Sequence, residues 1–290
     1  MDQTPLAEGE GGALQRPAAR SEAATAGSGP YPAIVEGDPT LATHTIYRPQ
    51  ALDAFGASVR LPIVAWGNGG CASSSFPFRY FLLEVASHGF LVVAIGQADA
   101  LGPDPGVGRT RPSQLLDGID WAIVEHSRPE SIYAGKLATD RIAVMGQSCG
   151  GLQALAVSPD PRITTSVVWN SGLLTAPPPP HRPIPHVDKS VLQRLHAPVA
   201  YFVGGVGDIA YANAMDDVAR IERVPVFFGS IDVGHGGTFE EPSGGEFGRV
   251  AVAWLKWRLM DDQTAGALFA GAGCGLCADP RWQVIKKQMA

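Results

Sequence analysis

Gly146-Gln147-Ser148-Cys149-Gly150 sets a serine in a G-x-S-x-G pattern, the mark of a nucleophile held on a sharp turn between a strand and a helix. The flanks agree. The run from Arg141 to Met145 is apolar and of strand type, and the run from Gly151 to Val157 opens a helix. Glycine suits the flanking positions because a Cβ would clash in so tight a turn. A serine hydroxyl in that place attacks a carbonyl carbon when a base takes its proton and an acid orients the base. On such a scaffold the chain order is serine, acid, histidine.

Asp208 and His235 complete the set in that order. The apolar run from Pro198 to Val203 reads as a strand, and the Gly204–Gly207 loop beyond it delivers Asp208. The next such run, Val224 to Phe228, is followed by His235 in a glycine-flanked loop. Loops at the carboxyl ends of parallel strands share one edge of a sheet, where open α/β sheets place their sites. Of the seven histidines, His44, His88, His126, His181, His186 and His196 suit surface, helix or loop roles. For the acid, Asp232, Asp216 and Asp217 compete. Asp216 and Asp217 fall in a helix expected from Ala212 to Ile221 and read as a solvated face. Asp232 lies close to His235 and suits a supporting place. Asp208 leads because the acid closes the strand before the histidine strand.

Acyl transfer also needs two backbone N–H groups aimed at the developing oxyanion. Cys149, next after the nucleophile, is assigned as one. The strand from Leu61 to Trp66 leads into Gly67-Asn68-Gly69-Gly70-Cys71, and the Asn68 amide is assigned as the other, with Gly69 as the alternative. A phosphate-cradling loop is the competing reading, but the lysine of a P-loop and the G-x-G-x-x-G spacing are both missing. Gly69, Gln147, Trp169, Asn170 and Phe239 are expected to wall the substrate site, though Trp169 suits a core position equally well. Phe76, Phe78, Tyr80 and Phe81 read as helix core.

The elements that must position these residues follow from hydrophobic periodicity. Leu41 to Tyr47 alternates and predicts an early antiparallel strand. Ser75 to His88 has a helical period, Phe90 to Ile95 is a continuous apolar strand, and Ser113 to Ser127 is a helix packed through Leu116, Ile119, Trp121 and Ile123. Ile163 to Trp169 is a further core strand, and Gly248 to Met260 a closing helix. The alternation of strand and helix predicts a mostly parallel central sheet with helices on both faces.

With these residues in view, the chain resembles the α/β-hydrolase family. More narrowly, it is similar to the cutinase-like and polyester (PET) hydrolases and their dienelactone-hydrolase-like relatives. The likeness runs through Ala86 to Val93, Asp140 to Ser148 and Ala251 to Trp257. It implies Ser148 as nucleophile, Asp208 as acid, His235 as base, and the Asn68 and Cys149 amides as oxyanion donors. The chain departs from that pattern around the acyl site. Gln147 stands where the polyesterases carry an aromatic or histidine, Asn68 replaces an aromatic residue of the early loop, and a Pro-rich stretch at 176–190 looks like an insertion. The expected activity is hydrolysis of a small ester, lactone or polyester through an acyl-enzyme. The alternative is a non-hydrolytic acyltransferase or lyase using the same serine. Neither needs a metal or an organic cofactor.

Composition sets the outer bounds. The chain has 290 residues, 45% hydrophobic, with a formal charge of −6. Residues 30–290 are expected to form one catalytic domain, and the negative balance gives no general attraction to nucleic acid or anionic membranes. No segment is long and apolar enough to insert in a bilayer. Residues 1–29 lack hydrophobic periodicity and are expected to be flexible. They also lack the basic start and apolar stretch of an intact secretion signal. Oligomeric state is not legible.

Four cysteines remain. Cys274 and Cys277 form a C-x-x-C without further local metal ligands, so a local disulfide or two idle thiols are expected. Cys71 and Cys149 belong to the two segments assigned to the oxyanion hole. A disulfide between them would fix the distance between the donor loops, provided the Cα atoms lie within roughly 7 Å. Oxidised pairs would favour an extracellular or periplasmic setting, reduced ones the cytoplasm.

Overall fold

The computed structural model describes residues 26–97, 110–178 and 184–289. Most of the N-terminal stretch 1–29, together with His181 and part of the Pro-rich stretch, lies outside them. Nine strands form one sheet: β1 (Ala33–Glu36), β2 (His44–Pro49), β3 (Leu61–Gly67), β4 (Leu91–Ile95), β5 (Leu137–Gln147), β6 (Ile163–Trp169), β7 (Val199–Val203), β8 (Val226–Ile231) and β9 (Trp282–Lys287). Their spatial order is β1-β2-β4-β3-β5-β6-β7-β8-β9. The strands from β4 through β8 in that order pair in parallel, while β1, β2 and β9 join antiparallel at the two edges.

Among the described residues, five helices of eight or more residues cover the sheet: α1 (Arg79–Ser87), α2 (Ser113–Ser127), α3 (Cys149–Val157), α4 (Tyr211–Arg220) and α5 (Gly245–Met260). The period-two alternation of each buried strand sends neighbouring residues to opposite faces. Val64 and Trp66 of β3 pack under α1 and α5, with Leu82, Val85, Val250 and Trp254. Ile63 and Ala65 of the same strand pack under α2, with Leu115, Ile119 and Ala122. Val199, Tyr201 and Val203 of β7 meet Ala214 and Val218 of α4. Both faces are thus sealed, the condition for a parallel sheet. Full burial of each large apolar side chain contributes about 1.5–3 kcal/mol.

The early strand begins at His44 rather than Leu41, because Pro39–Leu41 turns as a 3₁₀ helix capped by Asp38. The helix expected from Ser75 starts at Arg79, since Pro77 holds Phe76–Phe78 in a separate 3₁₀ turn. An aromatic cluster lies under the carboxyl edge of the sheet. Phe239 sits 5.0 Å from Phe81, 5.9 Å from Trp66 and 6.0 Å from Trp169, centroid to centroid. Trp169 also stacks on Phe202 at 4.7 Å.

Candidate active site

Ser148 stands between β5 and α3 with φ 52° and ψ −116°, a conformation that costs a non-glycine residue about 1–3 kcal/mol. The surroundings enforce it. The Ser148 N–H donates to the Trp169 carbonyl at 2.9 Å, extending the β5–β6 ladder. Its own carbonyl accepts from Gly151 N at 2.9 Å and from Ser171 Oγ at 2.6 Å. Gly150 lies so close to the β3 end that a Cβ there would strike the Gly67 carbonyl. The glycine after the nucleophile is therefore required by contact with the next strand.

Asp208 and His235 come from the loops after β7 and β8. Gly234 N donates to the Gly204 carbonyl at 2.8 Å and ties the two loops together. Asp208 Oδ1 lies 2.6 Å from His235 Nδ1, and His235 Nε2 lies 3.0 Å from Ser148 Oγ. An ionised carboxylate can only accept, so Nδ1 carries the proton and Nε2 is left to accept from the serine hydroxyl. The three side chains are joined in one relay, with Asp208 buried and the His235 side chain 31% exposed.

Burial alone would raise the Asp208 carboxyl above the usual range. Donation from His235, from the Ala210 and Gly204 amides and from Asn170 outweighs it and brings the carboxyl down to about 2. The bonds are specific: Ala210 N at 2.9 Å to Oδ1, with Gly204 N at 2.9 Å and Asn170 Nδ2 at 2.8 Å to Oδ2. Asp208 is thus held ionised beside the imidazole.

Other expected site residues fall in different places. Asn170 supports the acid and also donates to the Gly234 carbonyl at 3.2 Å. Gln147 Nε2 donates to the His235 carbonyl at 3.0 Å. Phe239, expected at the substrate wall, is instead buried in the aromatic cluster, and Trp169 takes the core position that was its alternative. Asn68 is fully buried, its amide group donating to the Ala72 and Ile95 carbonyls and accepting from Trp66 Nε1. From this loop Gly70, not Asn68 or Gly69, lines the cavity beside the serine. Asp232 is exposed and lies against Gly205. Asp217 does not belong to a solvated face: it is fully buried on α4, and burial pushes its carboxyl up to about 6 against the pull of Lys189.

Cys71 and Cys149 are at bonding distance, with Cα atoms 5.2 Å apart. Cys274 and Cys277 are likewise paired. The first pair joins the loop after β3 to the first residue of α3. Cys71 has φ 52°, a cost the loop offsets by bonding its carbonyl to both Thr110 N and Thr110 Oγ1.

A cavity of about 380 Å³ opens beside Ser148 and His235. Its wall includes Leu152, Leu174, Pro177, Pro178, Ile184 and Ile209. Leu152 was within reach of sequence reading, since it lies one helical turn after the nucleophile on the same face. The others come from loops with no periodic signal. Among the described residues, no group of three or more His, Cys, Asp or Glu is placed to hold a metal ion. No described helix is long and apolar enough to cross a membrane.

The mostly parallel sheet and the serine on its strand-to-helix turn define an α/β-hydrolase-type protein. The PETase family, described as PET hydrolase-like, matches residues 19–171, and the chain belongs to that family. The matched span holds the loop after β3 and the Ser148 turn and ends before Asp208 and His235. Family membership supports ester hydrolysis as the class of activity. Among curated proteins none matches the chain.

Proposed function

We propose that the chain is a serine carboxylic ester hydrolase working through an acyl-enzyme on Ser148. The observation that carries this reading is the continuous relay from Ser148 Oγ through His235 to Asp208, opening on a cavity. Ser148 Oγ attacks the ester carbonyl carbon while its proton passes to His235 Nε2. The resulting oxyanion is received by the Cys149 amide, at the N-terminus of α3, and by an amide of the loop after β3. Asn68 is assigned to that second place, with Gly69 as the alternative. Collapse breaks the bond to the leaving oxygen, which takes the proton from Nε2 and departs as the alcohol. Water then attacks the acyl carbon, gives its proton to His235, and the acid leaves as Ser148 recovers its hydrogen.

Asp208 holds the imidazole in the tautomer that accepts from serine and stabilises the imidazolium as it forms. We read residues 30–290 as one catalytic domain, since the edge strands β1 and β9 belong to the same sheet as β5. The two cysteine pairs support an oxidising compartment. The test is labelling with a fluorophosphonate and hydrolysis of p-nitrophenyl esters. The expected result is label on Ser148 alone, and a Ser148→Ala variant that keeps its melting transition but loses turnover by roughly four orders of magnitude or more. Undiminished hydrolysis by that variant would refute the proposal.

A further inference from the structure

Asp217 meets both ends of the segment that walls the cavity. Its Oδ2 accepts from the Leu173 N–H at 2.7 Å, and its Oδ1 accepts from Lys189 Nζ at 2.7 Å. Tyr201 OH reaches Oδ2 at 3.4 Å. Lys189 bonds Asp216 as well, at 2.6 Å. Between the two anchored ends lie Leu174, Ala176, Pro177, Pro178 and Ile184, all of which face the cavity. The chain enters this segment pressed against α4, for a Cβ on Gly172 would strike the backbone of Asn213 and Ala214.

A carboxylate with no side-chain exposure is an expensive way to fill space between a helix and a sheet. An apolar residue of similar size does so without loss of hydration. What the carboxylate gains is directional grip on an amide and an ammonium at once. Here those two groups are the flanks of one segment. Pro177, Pro178 and Pro185 have fixed φ, so anchoring the ends restrains the described wall between them. The cavity wall carries no Asp, Glu, Lys or Arg among the described residues, which suits an uncharged, apolar arm of the substrate.

We propose that Asp217 is a positioning residue for substrate selection, holding the Leu174–Pro178 and Ile184 wall at a set distance from Ser148 and so limiting the length of the apolar ester arm. This rests on the ester-hydrolase reading. The preferred substrates are then neutral esters with a short to medium aliphatic or single-ring arm, rather than charged esters.

The experiment compares the full chain with Asp217→Asn and Lys189→Met on p-nitrophenyl acetate, butyrate, hexanoate and octanoate. Wild-type labelling of Ser148 by a short-chain fluorophosphonate tests the parent reading separately. Once wild-type labelling has identified Ser148, the ratio of kcat/KM for hexanoate to that for acetate, measured on unlabelled enzyme, is expected to shift by about fivefold or more in both variants. A ratio that stays within about twofold of wild type, whether all esters slow equally or only the melting temperature falls, would overturn the assignment. If Asp217→Asn shows no cooperative melt, Lys189→Met carries the same test, because its ammonium is the anchor nearer the surface.

Discussion

Gln147 Nε2 donates to the backbone carbonyl of His235 at 3.0 Å. The side chain before Ser148 therefore holds the loop that carries His235, the base of the proposed mechanism. Strand β5 positions Ser148 through its own ladder, but His235 rides on a loop, where small displacements are easy. Gln147→Ala removes the tether and leaves the relay residues intact. The expected result is a fall in kcat of about tenfold with little change in KM, since a misplaced base slows chemistry more than binding. Steady-state kinetics on one short ester checks it.

Asn170 plays the matching part for the acid. It gives Asp208 one of its four donors and bonds the base loop at the Gly234 carbonyl. Asn170→Ala should lower kcat/KM by about 10- to 100-fold and raise the Asp208 carboxyl from its value of about 2. The pH–rate profile separates this from a packing defect. A role in holding the acid shifts the acid limb upward; mere loosening scales the whole curve.

Asp208 and Asp217 act on stability with opposite signs. Asp208 is depressed in the folded state to about 2, below the ordinary unfolded value of 3.8. Its contribution is present above that unfolded value and is lost as pH falls toward about 2. Asp217 is raised to about 6 by burial, with Lys189, Tyr201, Asp216 and the Leu173 amide facing it. Its contribution is present below the unfolded value and is lost as pH rises through about 6. The wild-type melting temperature, measured relative to Asp217→Asn, should therefore rise as pH is lowered from 7 toward 5.

Loss of the Cys71–Cys149 link should act on fold and chemistry together. Cys71 and Cys149 lie 78 positions apart, and removing a crosslink over a loop of that length costs about 4–5 kcal/mol in the chain-entropy account. It also frees the loop after β3 from the first residue of α3, the two segments assigned to the oxyanion. The paired Cys71→Ala, Cys149→Ala variant is expected to lose both thermal stability and about tenfold in kcat. Chemical denaturation and turnover on a short ester measure the two losses.

The sheet, and the loop positions of Ser148, Asp208 and His235, were legible because they rest on short-range signals. Strand β6 and helix α2 are bounded as periodicity predicts, at Ile163–Trp169 and Ser113–Ser127. The order serine, acid, histidine needed only loop positions after apolar runs. The edge strands β1 and β9 were not anticipated. Ala33–Glu36 is short, and Trp282–Lys287 ends in half-buried lysines whose strand character comes from pairing with β8. Helix periodicity also misplaced Asp217. Two adjacent aspartates look solvated in one dimension, and the partner that buries the second, Lys189, lies 28 positions away. Phe239 was expected at the substrate wall, and Trp169 either there or in the core. Both rings turn into the sheet, where Phe81 and Phe202 offer apolar contact.

That placement gives the protein an internal optical reporter. Two indoles, at 66 and 169, lie in the same aromatic cluster as Phe239, four residues beyond the base. Any opening of the histidine loop must draw that phenyl ring away and alter the packing around both indoles. Intrinsic emission can therefore follow the integrity of the catalytic edge in real time, without substrate and without an attached dye.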